Sequence, residues 1–262
     1  MSPAPSISCG IYPLAAAIRQ QDIIPWYQPL ICSSTGKICG IEVLARWKTT
    51  AEKYIPPDYF IPQAEKSGLI VPLTQQLMAR TAVDLSPVIE NFCHPFKIAL
   101  NISLAHIRTR KIMIEDVMTF LNLFSAGSIQ VILELNEREQ FQQTPRFHEL
   151  LLELQRMGVM IALDDFGTGY SNLCYLNMFP VDYIKIDRSF ISCIPRKSAS
   201  NIIQFIINTA KHLDVGVIVE GVENQKQADW LKGKNIEIMQ GYYFYKALSI
   251  TELKDIAVQK RF

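Results

Sequence analysis

Short apolar runs alternating with segments of helical periodicity constrain this chain more than any other feature of its sequence. The apolar runs fall at Lys97–Ile102, Gln130–Leu135, Val159–Leu163, Tyr183–Ile186, Val215–Val219 and Ile236–Met239. Apolar residues recur at helical spacing over Leu73–Leu85, Ile112–Phe124, Phe147–Met157, Ala199–Leu213, Gln225–Lys232 and Leu248–Val258. Strand followed by helix, repeated, specifies parallel βαβ units, because parallel strands need a long crossover and the helix covers the sheet. Upstream, Trp26–Ile31 and Lys37–Trp47 read as two strands joined by the polar turn Ser33-Ser34-Thr35-Gly36, an antiparallel hairpin. Counting that hairpin, the pattern fits an α/β fold of the TIM type, a (β/α)8 barrel in which the antiparallel first pair is an irregularity. A doubly wound open sheet is the alternative. It would carry a Gly-rich phosphate turn after an early strand, and none follows either.

A chain of 262 residues accommodates one such barrel, and neither a repeat nor a low-complexity linker divides it. The first ten residues are rich in Pro and Ser, and Ile11–Gln21 forms a short helix that ends before Pro25. We therefore divide the chain into residues 1–22, a segment that joins or flanks the barrel, and 23–262, the barrel itself. The net charge of +1 gives no reason to expect binding to a nucleic acid polymer or an anionic membrane. Six cysteines (Cys9, Cys32, Cys39, Cys93, Cys174, Cys193) show no CxxC spacing and read as reduced thiols, with Cys32 and Cys39 flanking the hairpin turn. No stretch of eighteen apolar residues occurs, and the opening Met-Ser-Pro-Ala-Pro is not a signal peptide. The expected location is cytoplasmic, free-standing or as the cytosolic domain of a longer membrane-attached protein.

Polar residues fall at the strand ends. Glu42 interrupts the second strand, Asn101 ends the third, and Glu134 lies near the end of the fourth. Asp164-Asp165 follow the fifth, Lys185 and Asp187 flank Ile186, and Glu220 and Gln240 follow the seventh and eighth. A parallel barrel gathers its C-terminal strand ends in one mouth, so these residues converge. Burying several carboxylates together is costly unless cations compensate them, and one lysine cannot neutralise five acids. Oxygen ligands without a His or Cys cluster favour Mg²⁺ or Mn²⁺ over zinc, and the adjacent Asp164-Asp165 pair suits two ions acting on a phosphoester. The four histidines (His94, His106, His148, His212) are scattered and lie outside this set.

The same residues carry a family resemblance. Glu42-Val43-Leu44-Ala45-Arg46-Trp47 resembles the E-A-L-x-R-W signature of the EAL cyclic di-GMP phosphodiesterases. Asn101-Ile102-Ser103, Glu134-Leu135-Asn136-Glu137 and the run from Asp164 to Ser171 are similar to that family's N-x-S, E-x-T-E and D-D-F-G-x-G-x-S motifs. Lys185-Ile186-Asp187, Glu220-Gly221-Val222-Glu223 and Gln240-Gly241-Tyr242 resemble its K-I-D, E-G-V-E and Q-G-Y. The resemblance runs in order from about Tyr27 to Leu248. It implies a (β/α)8 barrel with an antiparallel first strand, and hydrolysis of cyclic di-GMP to linear pGpG with two divalent ions, Mg²⁺ or Mn²⁺. It also implies that Glu42, Asn101, Glu134 and Asp164 hold one ion and that Asp164, Asp165 and Glu220 surround the second. Glu42, Lys185 and Glu220 would be catalytic. Gln28, Leu44, Arg46, Asp187, Glu223 and Gln240 would bind the substrate. Glu137, Phe166 and Gly167 would link the metal site to a homodimer contact.

Three positions depart from the family pattern: Val43 for Ala, Asn136 for Thr, and Ala247 for the Pro of K-P-L. None is a metal ligand, so an active enzyme is expected. The competing expectation is a receptor domain that binds cyclic di-GMP without turnover and signals to a protein partner; such domains usually lose the signature Glu or a loop Asp, and both are kept here.

Overall fold

The computed structural model describes residues 11–49, 53–92, 94–136, 144–167, 176, 179–194, 197–234 and 236–259. Helix α1 (Ile11–Gln20) leads into the hairpin of β1 (Ile23–Cys32) and β2 (Ile38–Lys48). Then come β3 (Tyr54–Ile55), α2 (Pro57–Ser67), α3 (Ile70–Leu85), β4 (Phe96–Ile102), α4 (Leu104–Ile107), α5 (Arg110–Leu121), β5 (Ile129–Asn136) and α6 (Pro145–Arg156). The second half runs β6 (Met160–Phe166), β7 (Tyr183–Ile186), α7 (Arg188–Ile191), α8 (Lys197–His212), β8 (Gly216–Val219), α9 (Gln225–Leu231), β9 (Ile238–Met239) and α10 (Ile250–Gln259).

Hydrogen bonding follows the order β1-β9-β8-β7-β6-β5-β4-β2, and β1 also pairs with β2, which closes the ring. β1 runs antiparallel to both of its neighbours, while the remaining ring pairs are parallel. The barrel with an inverted first strand is therefore the fold. β3 adds to the outer edge of β2.

Alternation along the strands sorts side chains to two faces. One face of β4 (Phe96, Ile98, Leu100, Ile102) joins the large core between barrel and helices. The other face points inward, where Leu30, Ala99, Ile132, Ala162, Tyr183, Ile218 and Ile238 form an apolar floor. Gly40 lines this interior beside Lys97, and a Cβ there would lie 2.4 Å from the Lys97 carbonyl oxygen. Leu14 and Ala17 of α1 bury against Ile23, Trp47, Phe60 and Leu73, so the first helix packs onto the barrel. Tyr27, fully buried in β1, donates its hydroxyl to Asp84 of α3 at 2.7 Å, which pins the inverted strand to a helix.

Differences from the sequence reading have local causes. α2 was not anticipated, because Pro56, Pro57 and Pro62 break its pattern. Pro57 is tolerated at the first helical position, where an N–H has no partner anyway, and Gly68 ends the helix at φ +74°. The last helix starts at Ile250 rather than Leu248, because Leu248 pairs with Tyr27 as a β-bridge. At the hairpin turn Cys32 lies opposite Lys37, its N–H donating to the Lys37 carbonyl at 2.9 Å, so the two cysteines do not face each other directly.

Candidate active site

Residues one step up from the floor on the same inward face are Gln28, Glu42, Asn101, Glu134, Asp164, Lys185, Glu220 and Gln240. They form a polar layer at the C-terminal ends of the parallel strands, with Lys185 at its centre and only 1 % exposed. Its Nζ lies 2.6 Å from Glu220, 2.8 Å from Glu134, 3.1 Å from Asp164 and 3.9 Å from Glu42. Burial pulls the lysine pKa down, but Asp164, Glu134, Glu220 and Glu42 outweigh it and hold it well above the ordinary value. Burial likewise pushes Glu134 well up, reinforced by Glu42 and opposed by Lys185. Glu220 is raised to about 7, first by burial and then by Asp164 and Glu42 against the pull of Lys185.

Neighbouring groups fix the acids. Asn101 Nδ2 donates to Glu42 Oε1 at 3.0 Å and Gln240 Nε2 to Glu42 Oε2 at 2.8 Å, so both signature oxygens are held. Between Leu163 and Phe166 the β6–β7 register shifts, and Asp165 takes the left-handed conformation at φ +56°. That irregularity separates the two aspartates. Asp164 turns to Lys185 and accepts from the Asp165 N–H at 2.9 Å, while Asp165 accepts from Asn136 Nδ2 at 3.1 Å. The Asn at position 136 thus supplies a donor to the second aspartate. Phe166 is buried, and Gly167 (φ +97°) abuts Phe190 so closely that a Cβ would lie 2.8 Å from its ring. Glu137 lies outside the described residues.

The remaining substrate candidates separate into two groups. Gln28 stands opposite Glu42, and Leu44 and Arg46 continue the same face of β2 toward the rim. Gln28 Nε2 donates to the Tyr245 carbonyl at 3.3 Å, and Arg46 Nη1 to the Ala45 carbonyl at 2.8 Å. A cavity of ≈ 640 Å³ opens beside Leu44, lined by Glu42, Asn101 and Glu134 and by both apolar (Ile61, Leu73, Leu77) and acidic (Asp58, Glu65) side chains of α2 and α3. By contrast, Asp187 caps α7 by accepting from the Ser189 N–H at 2.9 Å, and the Glu223 side chain is exposed. A smaller cavity, ≈ 410 Å³, is lined by Ser86, His94 and Ser128 at the opposite end of the same strands, away from the acids. His106 is fully buried, with Nε2 2.8 Å from Asp116.

Among the described residues no three His, Cys, Asp or Glu side chains are arranged around a common point as ligands; the carboxylates are drawn onto Lys185 instead. Their chemistry nevertheless suits hard divalent ions. All donors are oxygens, four carboxylates face one ammonium, and both Glu134 oxygens are buried without a directional hydrogen bond.

Comparison with known proteins gives the family. The EAL domain family profile matches residues 13–247. The chain is 40 % identical over 248 residues to the probable cyclic di-GMP phosphodiesterase PdeG of Escherichia coli (strain K12), covering 94 % of this chain and 49 % of that protein. It is 38 % identical over 232 residues to the cyclic di-GMP phosphodiesterase PdeL of the same organism, covering 88 % of this chain and 64 % of PdeL. The chain thus spans about half to two thirds of the length of these relatives. Among solved structures, the PaMucR phosphodiesterase in complex with c-di-GMP superposes with a TM-score of 0.81 at 28 % identity, covering 93 % of this chain and 98 % of that one. The EAL enzyme Bd1971 shares the fold at a TM-score of 0.84 and 24 % identity, over 94 % of this chain and 67 % of that one. The chain belongs to the EAL domain family.

Proposed function

We propose that this chain hydrolyses cyclic di-GMP to linear pGpG, lowering the second messenger, with two divalent ions, Mg²⁺ or Mn²⁺, as cofactors. The observation that carries the reading is the ring of Glu42, Glu134, Asp164 and Glu220 around Lys185 at the mouth of an EAL-family barrel. Glu42, Asn101, Glu134 and Asp164 would hold one ion, and Asp164, Asp165 and Glu220 the other. Ions bound there supply Lewis acidity and lower the pKa of a bound water.

The side chains supply position and proton control. Lys185, at the centre of the acids, would orient the attacking water through Nζ–H. Glu220, 2.6 Å away, fixes where those protons point. Arg46 offers charged donors to a phosphate, Leu44 packs beneath the dinucleotide, and Gln28, Asp187, Glu223 and Gln240 hold its polar edges. A cavity of ≈ 640 Å³ lined by Glu42, Leu44, Asn101 and Glu134 adjoins these residues, and cations on its carboxylates would offset their repulsion of an anionic dinucleotide.

A homodimer belongs to the same reading. The Phe166-Gly167 segment packs on Phe190 of α7, and the following helix α8 exposes Ile202 and Phe205; sedimentation at micromolar concentration tests it. A cytoplasmic site of action is likewise proposed. Among the described residues no helix is long and apolar enough to cross a membrane.

The test is incubation with cyclic di-GMP and Mn²⁺ or Mg²⁺ followed by nucleotide chromatography. Accumulating pGpG that EDTA suppresses is the expected result. Tight binding with no product would make the chain a receptor domain instead.

A further inference from the structure

Trp26 stands among the residues assigned to the substrate, although it reads as one more apolar residue of an apolar strand. β1 and β2 pair so that Trp26 faces Leu44, with Gln28 opposite Glu42 on one side and Ile24 opposite Arg46 on the other. Residues two apart share a face, and directly opposed side chains lie about 5 Å apart. The Arg46 guanidinium carbon is 5.8 Å from the indole centroid, and Tyr54 meets the ring edge-on with centroids 5.3 Å apart. Arg46 Nη1 bonds the Ala45 carbonyl, and its other donors have no acceptor among the described residues.

We propose that Trp26 is a positioning residue for substrate binding, its ring face holding the Arg46 guanidinium so that the remaining N–H donors meet a substrate phosphate. The inference rests on the functional reading above. A long arginine side chain already ordered on a ring loses less freedom when the anion binds. The buried indole N–H has no acceptor among the described residues, so the ring is held by packing and Phe should replace it.

Steady-state hydrolysis of cyclic di-GMP tests this on wild type, Trp26→Phe, Trp26→Leu, Trp26→Met, Arg46→Ala and Trp26→Leu/Arg46→Ala. Losing the ring should raise KM about tenfold with kcat nearly unchanged, the size of a partly desolvated cation–π contact. Trp26→Phe should keep the wild-type KM. In the Arg46→Ala background Trp26→Leu should add nothing, since its effect acts through Arg46. Leu and Met are used in parallel so that a folding failure in one, read by thermal melting, leaves the other. A wild-type KM in the folded Leu or Met variant, or the same tenfold rise without Arg46, overturns the inference. A wild-type chain that neither binds nor hydrolyses cyclic di-GMP overturns the functional reading, and this inference with it.

Discussion

The floor and the upper layer of the barrel interior are built from the same strands, two residues apart, and they meet opposite demands. Ala99, Ile132, Ala162, Tyr183, Ile218 and Ile238 make the floor; Asn101, Glu134, Asp164, Lys185, Glu220 and Gln240 stand directly above them. The floor closes the ring with apolar contacts, and its one phenol, Tyr183, finds Glu237 at 3.0 Å. The upper layer gathers four acids and a lysine, where each buried ion costs several kcal/mol in lost hydration (roughly, before pairing). The difference teaches where each property resides. Stability is drawn from the floor and from the shell under the helices, and the upper layer gives some of it back for chemistry.

Substitutions in the two layers can break that division. The largest effect expected is at Glu42, which Asn101 and Gln240 hold from both sides. Glu42→Ala should lower turnover by about 10³-fold, comparable to losing one key electrostatic element of an active site; a turnover assay with matched melting curves checks it. Next comes the response to metal. Mn²⁺ at about 100 times its Kd should stabilise wild type by about 2.7 kcal/mol in denaturant titrations, and Glu134→Gln should remove most of that gain. Smallest is the effect of the same substitution without metal. In EDTA, Glu134→Gln should raise stability by about 1 kcal/mol, because it removes a carboxylate whose burial and like-charged neighbours oppose ionisation. A loss of stability there would mean that the upper layer is as supportive as the floor.

Much of this was legible in the sequence. Acids at strand ends cannot be satisfied inside an apolar strand, so Glu42, Glu134, Asp164 and Glu220 stood out against their neighbours. The polar turn at Ser33–Gly36 marked the antiparallel hairpin of β1 and β2 by the same local logic. What was not legible depends on three-dimensional neighbours. The prolines of α2 hid a helix that walls the cavity. Asp164 and Asp165 read as one pair, yet a register shift sends one to Lys185 and the other to Asn136. Asp187 has a second task that the sequence does not show, capping α7 through one of its carboxylate oxygens. Trp26 carries no chemical signal until Arg46 is seen across the hairpin.

β8 and the residue that follows it carry both layers, Ile218 below and Glu220 above, so one paired experiment separates stability from chemistry. Ile218→Ala and Glu220→Ala are compared with wild type for melting temperature and for Mn²⁺-dependent conversion of cyclic di-GMP to pGpG. Ile218→Ala should lose about 3 kcal/mol of stability, as deleting a buried side chain does, while its folded fraction still turns over substrate. Glu220→Ala should melt no lower than wild type in EDTA and produce no pGpG. A Glu220→Ala variant that hydrolyses cyclic di-GMP at the wild-type rate would show that the upper layer does not carry the chemistry.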